Sequence, residues 1–189
     1  HEHLSYYGMR QIKYIMDKAG FNIIDFEFND VNGGSISVVV SPNKKECTTK
    51  LAGLIGLELE DKLNTRQPWE EFASRMTDNN HEFLKIVRDL RTEGYKVAGL
   101  GASTKGNVTL QTWGITPNDI LAVGDVNPDK HGSLTPGTWI PIKDEDEVLV
   151  YYDAFVILPW HFKKFFVNNP KFKGKTLIFP LPTPEVIVP

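Results

Sequence analysis

The spacing of apolar residues changes character near residue 94, and the chain divides there into two patterns. Over residues 5–19, Met9, Ile12 and Met16 share one stripe and Gly20 follows, which predicts an amphipathic helix. Residues 21–28 and 35–40 are rich in Phe, Ile and Val and alternate in part. With Asn32-Gly33-Gly34 between them they predict a β-hairpin. Leu51, Ile55 and Leu59 then recur at helical spacing in a stretch over 44–64, although Gly53 and Gly56 weaken it. Pro68 suits the first turn of another helix, and Phe72, Met76, Phe83, Val87 and Leu90 carry its stripe as far as Gly94. This is the longest predicted element, at roughly 35 Å by helical rise. Its charged positions, Glu70, Glu71, Arg75, Asp78, Lys85 and Arg88, read as a solvated face.

Beyond residue 94 the apolar residues gather in short runs at 97–100, 120–123, 154–158 and 176–179, each the length of a strand buried on both faces. Helical stretches fall between them at 104–113, 144–151 and 161–168. The alternation predicts an α/β, Rossmann-like fold: a mostly parallel sheet with helices on both faces, preceded by a helix, a β-hairpin and a long helix pair. The expected organisation is a single domain over 1–189, with residues 1–94 leading into a βα-alternating core over 95–189. Ligands of such sheets sit at the C-terminal strand ends, here the loop over 101–107, the segment 125–130, and Pro159-Trp160.

The stretch KVAGLGASTKGN, residues 96–107, is the centre of that expectation. A buried strand, a tight turn of small residues and a helix start together make a phosphate site, because helix N–H groups without partners face the ligand. Gly101, Ala102, Ser103, Lys105, Gly106 and Asn107 are the candidate ligand-binding residues there, with Lys105 adding a mobile positive charge. The spacing of Gly99, Gly101 and Gly106 is neither the dinucleotide fingerprint nor a Walker loop, and glycine used only for close packing is the competing reading. Asp125, at the end of the second run, suits a ribose or sugar hydroxyl, or equally a cap on the turn Asp125-Val126-Asn127-Pro128. Lys130 is placed beside it, and the turn Thr135-Pro136-Gly137-Thr138 is expected to line the same crevice. Trp160 either stacks on a base or sugar or fills the core at a strand end.

His1-Glu2-His3 is the densest titratable cluster. An imidazole beside a carboxylate makes a general base, since the carboxylate fixes the tautomer and raises the basicity of the ring. A metal pair is the weaker alternative, because no further Cys or His lies in sequence reach. His81, His131 and His161 are isolated and read as bland, and Cys47 has no base near it in sequence.

Composition removes whole classes of function. The net charge of −3 gives no basic stripe for nucleic acid, and no apolar run reaches membrane-spanning length. The single cysteine excludes an intrachain disulfide and a thiolate zinc cluster, so a reducing cytoplasm is the expected compartment. The chain opens at His1 inside a motif, which suggests a piece of a longer protein, unless His1 is a tag residue.

Six motifs in order, HEHLSYYG, NGGSISVVV, AGLGASTKGN, GDVNPDKHG, TPGTWIPI and ILPW, give the chain a resemblance over essentially its whole length. It resembles the C-terminal half of the S-adenosylmethionine-dependent nucleotide-sugar (ketosugar) C-methyltransferases. The resemblance implies a three-part enzyme: an N-terminal zinc domain, a middle domain that binds S-adenosylmethionine, and this Rossmann-like third part, with the nucleotide-sugar between the last two. By motif, His3 resembles the base that takes a proton from the carbon beside the ketone before that carbon accepts the methyl group, with Glu2 supporting it. The implied substrate is a nucleotide-diphosphate sugar, thymidine-linked, near the 101–107 loop, Asp125, Lys130 and Trp160. The implied partner is the upstream methyl-donor domain of the same polypeptide. Neither the methyl donor nor zinc is assigned to a residue of this chain, which alone is expected to be inactive. Members often carry Arg where this chain has Ser37, which removes an anion contact there. Two rival readings are an NAD(P)-dependent oxidoreductase fragment, from the glycine turn followed by Asp125, and a noncatalytic nucleotide-sugar binding module.

Overall fold

The computed structural model describes residues 5–31 and 34–189, so His1, Glu2 and His3, and Asn32-Gly33 of the expected hairpin turn, lie outside the described residues. The chain forms two compact units, His1–Arg75 and Met76–Pro189.

In the first unit, α1 (Met9–Lys18) precedes the antiparallel pair β1 (Asn22–Asn29) and β2 (Ser35–Ser41), and α2 (Thr48–Glu60) follows. Met9, Ile23, Phe26 and Leu51 are buried together, with Ile12, Met16, Val38 and Ile55 packed around them. The predicted helical stripes and the strand alternation thus meet in one small core. The carboxylate of Glu58 in α2 accepts the N–H groups of Met9 and Arg10 at 2.5 and 3.3 Å, and so caps the start of α1.

The long helix α3 (Gln67–Thr92) ends in the second unit, where Phe83 and Val87 are fully buried. The elements that follow are β3 (Val97–Leu100), α4 (Thr104–Thr112), β4 (Val123–Asp125), β5 (Ile142–Asp144), α5 (Glu145–Tyr151), β6 (Ala154–Ile157), α6 (Lys163–Asn168), β7 (Thr176–Phe179) and β8 (Glu185–Ile187). They build a six-stranded sheet in the order β5-β4-β3-β6-β7-β8, parallel except for the edge strand β8, which runs antiparallel to β7. Side chains alternate between its faces. Val97, Ala154, Val156 and Ile178 pack with Phe83, Val87, Leu110 and Trp113 on one face, and Ala98, Leu100, Phe155, Ile157 and Leu177 pack with Val148, Leu149, Phe166 and Phe172 on the other.

The expected mostly parallel sheet with its leading helix, hairpin and helix pair is therefore the architecture found. Three details differ. The strand expected over 120–123 is registered as Val123–Asp125, because Val123 and Gly124 are the residues that pair with Gly99 and Leu100. Two strands, β5 and β8, were not expected, since three residues carry too little pattern to announce a strand before a neighbour supplies the ladder. The sheet order puts β3 between β4 and β6, so the chain reverses direction across the sheet at β3 and β6. The crevice at their C-terminal ends is the topological switch point, the place where open α/β sheets bind ligands.

Candidate ligand crevice at the switch point

Two loops meet at this point: the turn between β3 and α4, and the segment that leaves β6. Gly101 has φ +80°, a left-handed conformation that favours glycine, and a Cβ there would lie 2.8 Å from Cδ of Pro159. A Cβ on Gly106 would lie 2.6 Å from Cβ of Leu158. Both glycines are thus required for the two loops to approach each other. Glycine for close packing and glycine in a ligand turn, alternatives in the sequence, are compatible here.

Ser103 caps α4, its Oγ accepting the N–H of Gly106 at 3.1 Å, and the helix begins at Thr104. The positive end of the α4 dipole and Lys105 in the first turn of that helix therefore lie at the same end of the sheet as the C-termini of β3 and β6.

Asp125, 5% exposed, holds the β3 turn in place. Its Oδ2 accepts the N–H of Ala102 at 2.7 Å and Nζ of Lys130 at 3.0 Å, and its Oδ1 accepts the N–H of Asn127 at 2.8 Å. Lys130 also donates to the carbonyl of Ala102 at 3.0 Å, and Nε2 of His131 donates to the carbonyl of Asp125 at 2.8 Å. Burial by itself pushes the Asp125 carboxyl up, but the Asn127 N–H, the Lys130 ammonium and the Ala102 N–H outweigh it and hold the group below its ordinary 3.8. Of the two roles open to Asp125 in the sequence, its hydrogen bonds are those of the turn cap, extended to brace the neighbouring loop.

Gly101, Ala102, Ser103, Lys105, Gly106, Asn107, Asp125 and Lys130 thus belong to one end of the sheet, and the segment carrying Trp160 joins them. Trp160 is partly buried against Phe166 and its neighbours, closer to its core-filling alternative. The turn over 135–138 does not line the crevice. Gln111, in the last turn of α4, donates to the carbonyl of Pro136 at 2.9 Å, so this turn sits at the opposite end of that helix. The pairing of residues 133–135 back onto 140–142 carries its tip away from the C-terminal strand ends.

His161, read as bland in the sequence, lies on the segment that leaves β6 at the crevice end of the sheet. It follows Trp160 in a single 3-10 turn (Trp160–Phe162), and its ring centroid lies 5.6 Å from that of Trp160 and 4.3 Å from that of Phe162. Burial first, and then the charge of Lys105, hold its pKa below the ordinary 6.5. An isolated histidine has no periodicity to reveal it. The one available signal was its place just after a buried run in an α/β pattern.

Among the described residues no three His, Cys, Asp or Glu side chains are grouped as a metal ion would need, and no helix is long and apolar enough to cross a membrane.

Residues 30–182 match the profile of the C-methyltransferase C-terminal domain family. The chain is also similar to the C-methyltransferase NovU of Streptomyces niveus, with 29% identity over 193 aligned positions that cover 99% of this chain and 46% of NovU. It therefore spans about half the length of that curated relative. With the family profile matched over 30–182, most of its length, the chain belongs to the C-methyltransferase C-terminal domain family.

Proposed function

We propose that this chain is the nucleotide-sugar-holding part of an S-adenosylmethionine-dependent ketosugar C-methyltransferase, and that the switch-point crevice receives the nucleotide's diphosphate. The observation that carries this reading is the junction of Lys105 and the first turn of α4 with the segment that leaves β6. A helix N-terminus and a lysine at a switch point attract an anion more than a neutral ring. The thymidine nucleotide and the sugar come from the six-motif resemblance.

The roles divide by chemistry. Lys105, the α4 amides and the Gly101 turn hold the diphosphate. Asp125 and Lys130, whose polar atoms bond to each other and to Ala102, act on the ligand through the shape of that turn. His3 takes the proton from the carbon next to the ketone, where enolate formation makes it acidic, and Glu2 orients its ring.

S-adenosylmethionine supplies the methyl group when bound, but the residues of this chain do not fit it. The acidic residue at the strand end beside the glycine turn, Asp125, is 5% exposed with both oxygens accepting from the chain's own donors, so its carboxylate is engaged within the chain and little of it is left to meet a donor ribose. The same engagement counts against the oxidoreductase reading, which needs that carboxylate for a ribose. We assign the methyl donor, and the zinc of the resemblance, to an upstream part of the protein, and the present chain alone to binding without turnover.

Calorimetric titration of the 189-residue chain with thymidine diphosphate tests the site. Saturable binding is expected, weakened roughly tenfold by Lys105→Ala, the loss of one charge-assisted contact. No binding at millimolar ligand, or equal binding by the variant, would overturn it. His3→Ala in a protein that also carries the methyl-donor part should abolish turnover and leave sugar-nucleotide affinity intact. Turnover that survives would instead favour the noncatalytic binding module.

A further inference from the structure

Among the described residues, three side-chain polar atoms are buried without a hydrogen-bond partner: Oδ1 of Asn80, Oδ1 of Asn107 and Nδ1 of His161. Two of them belong to the elements that form the crevice. Buried polar atoms are nearly always paired, so each exception calls for a reason.

For His161 the reason lies in its two nitrogens. The residue is only partly buried, and Nδ1 is the nitrogen shut away from solvent. A proton on Nδ1 would be a buried donor with no acceptor, the least tolerated kind of orphan. A doubly protonated ring would carry that same orphan and would also face the charge of Lys105. Burial of Nδ1 and the charge of Lys105 thus favour a neutral ring with its proton on Nε2, the nitrogen absent from the buried, unpartnered atoms. The rings of Trp160, at an interplanar angle of 81°, and of Phe162, at 41°, pack against the imidazole and restrict its rotation.

We infer that His161 contacts the ligand in this crevice, donating its Nε2–H to a phosphoryl oxygen while Nδ1 stays unprotonated in the protein. The inference rests on the reading of the crevice as a diphosphate site and adds a residue that the sequence motifs did not assign. A neutral donor suits this position. Lys105 already supplies the charge, and a second cation beside it would be repelled in the empty site, whereas a neutral N–H adds direction without that cost. Burial and the nearby Lys105 both favour the uncharged ring, consistent with this role.

Two substitutions separate the nitrogens. The amide nitrogen of Gln occupies the place of Nε2, and that of Asn the place of Nδ1. Titration of the unaltered chain, His161→Gln, His161→Asn and His161→Phe with thymidine diphosphate should give near-equal affinity for the first two and a loss of roughly tenfold for the last two. Nitrogen NMR of the unaltered chain should report His161 with Nε2 protonated and Nδ1 not, and ligand should move the Nε2 signal. His161→Phe binding as well as the unaltered chain, His161→Asn preserving affinity where His161→Gln does not, or a proton found on Nδ1 would each overturn the inference. Binding unaffected by any His161 variant would leave the diphosphate reading standing. No binding by the unaltered chain would overturn that reading, and this inference with it.

Discussion

The N–H of Ala102 and the Oδ2 of Asp125 are joined by a hydrogen bond of 2.7 Å across 23 positions of sequence. Through it the end of β4 sets the path of the turn that leaves β3. Lys130 bonds to both residues, so a strand end, a loop and a short 3-10 turn act as one brace.

Asp125→Ala leaves the Ala102 and Asn127 N–H groups and the Lys130 ammonium without their common acceptor, and should destabilise the chain by about 3 kcal/mol. Asp125→Asn should cost nearly as much, because its NH₂ group then faces other donors. Thermal or urea denaturation measures both. Asp125, and Asp119, which despite its burial accepts from the hydroxyl and N–H of Thr116 and from Arg88, are held below 3.8 in the folded chain, so the unfolded chain binds protons first as acid is added. The stability that they contribute is complete above 3.8 and declines as pH falls through their lower folded values, and Asp125→Asn should flatten that decline.

Two glycine-to-alanine changes in helices should move stability in opposite directions. At Gly106 the new methyl group would sit 2.6 Å from Cβ of Leu158, and overpacking should cost about 2 kcal/mol and loosen thymidine diphosphate binding. At Gly53, an exposed position inside α2, nothing lies within 4 Å, and better helix propensity should stabilise by about 0.8 kcal/mol. Denaturation midpoints that shift the same way would refute the packing argument.

The His161 ring titrates below 6.5 when folded. As pH falls through 6.5, the unfolded chain takes up a proton that the folded chain refuses, so stability is lost between that value and the lower folded one and is unaffected above it. Relative to His161→Phe, the unaltered chain should lose ground from about pH 7.5 to about pH 5.5, and urea midpoints at the two pH values measure the difference. An unchanged difference would mean that the ring is protonated equally in both states.

Glu58 accepts the first two N–H groups of α1, so Glu58→Ala should destabilise that helix by about 1 kcal/mol. Hydrogen exchange at Met9 and Arg10 should accelerate while the amides of β3 and β6 keep their protection. Exchange unchanged at α1 would show that the cap contributes nothing.

The six-motif resemblance and the family match agree on the C-methyltransferase C-terminal domain. The candidate turn was legible because Ser103 and the small residues around it state a strand end and a helix cap locally. His161 was not, since its meaning comes from burial among Trp160, Phe162 and Lys105, none of which a lone histidine announces.

The sequence by itself determined the kinds of element and their succession: a helix, a hairpin, two helices, then strands buried on both faces alternating with helices. Those choices follow from residue spacing, caps and turn residues, which act over a few positions and need no distant partner. Only the tertiary structure decided that β3 lies between β4 and β6, that Ile142–Asp144 and Glu185–Ile187 become strands, and that Asp125 spends its oxygens on Ala102, Asn127 and Lys130. Each of these depends on hydrogen bonds between residues far apart in the chain, and their free energy exists only once the sheet has brought the partners together.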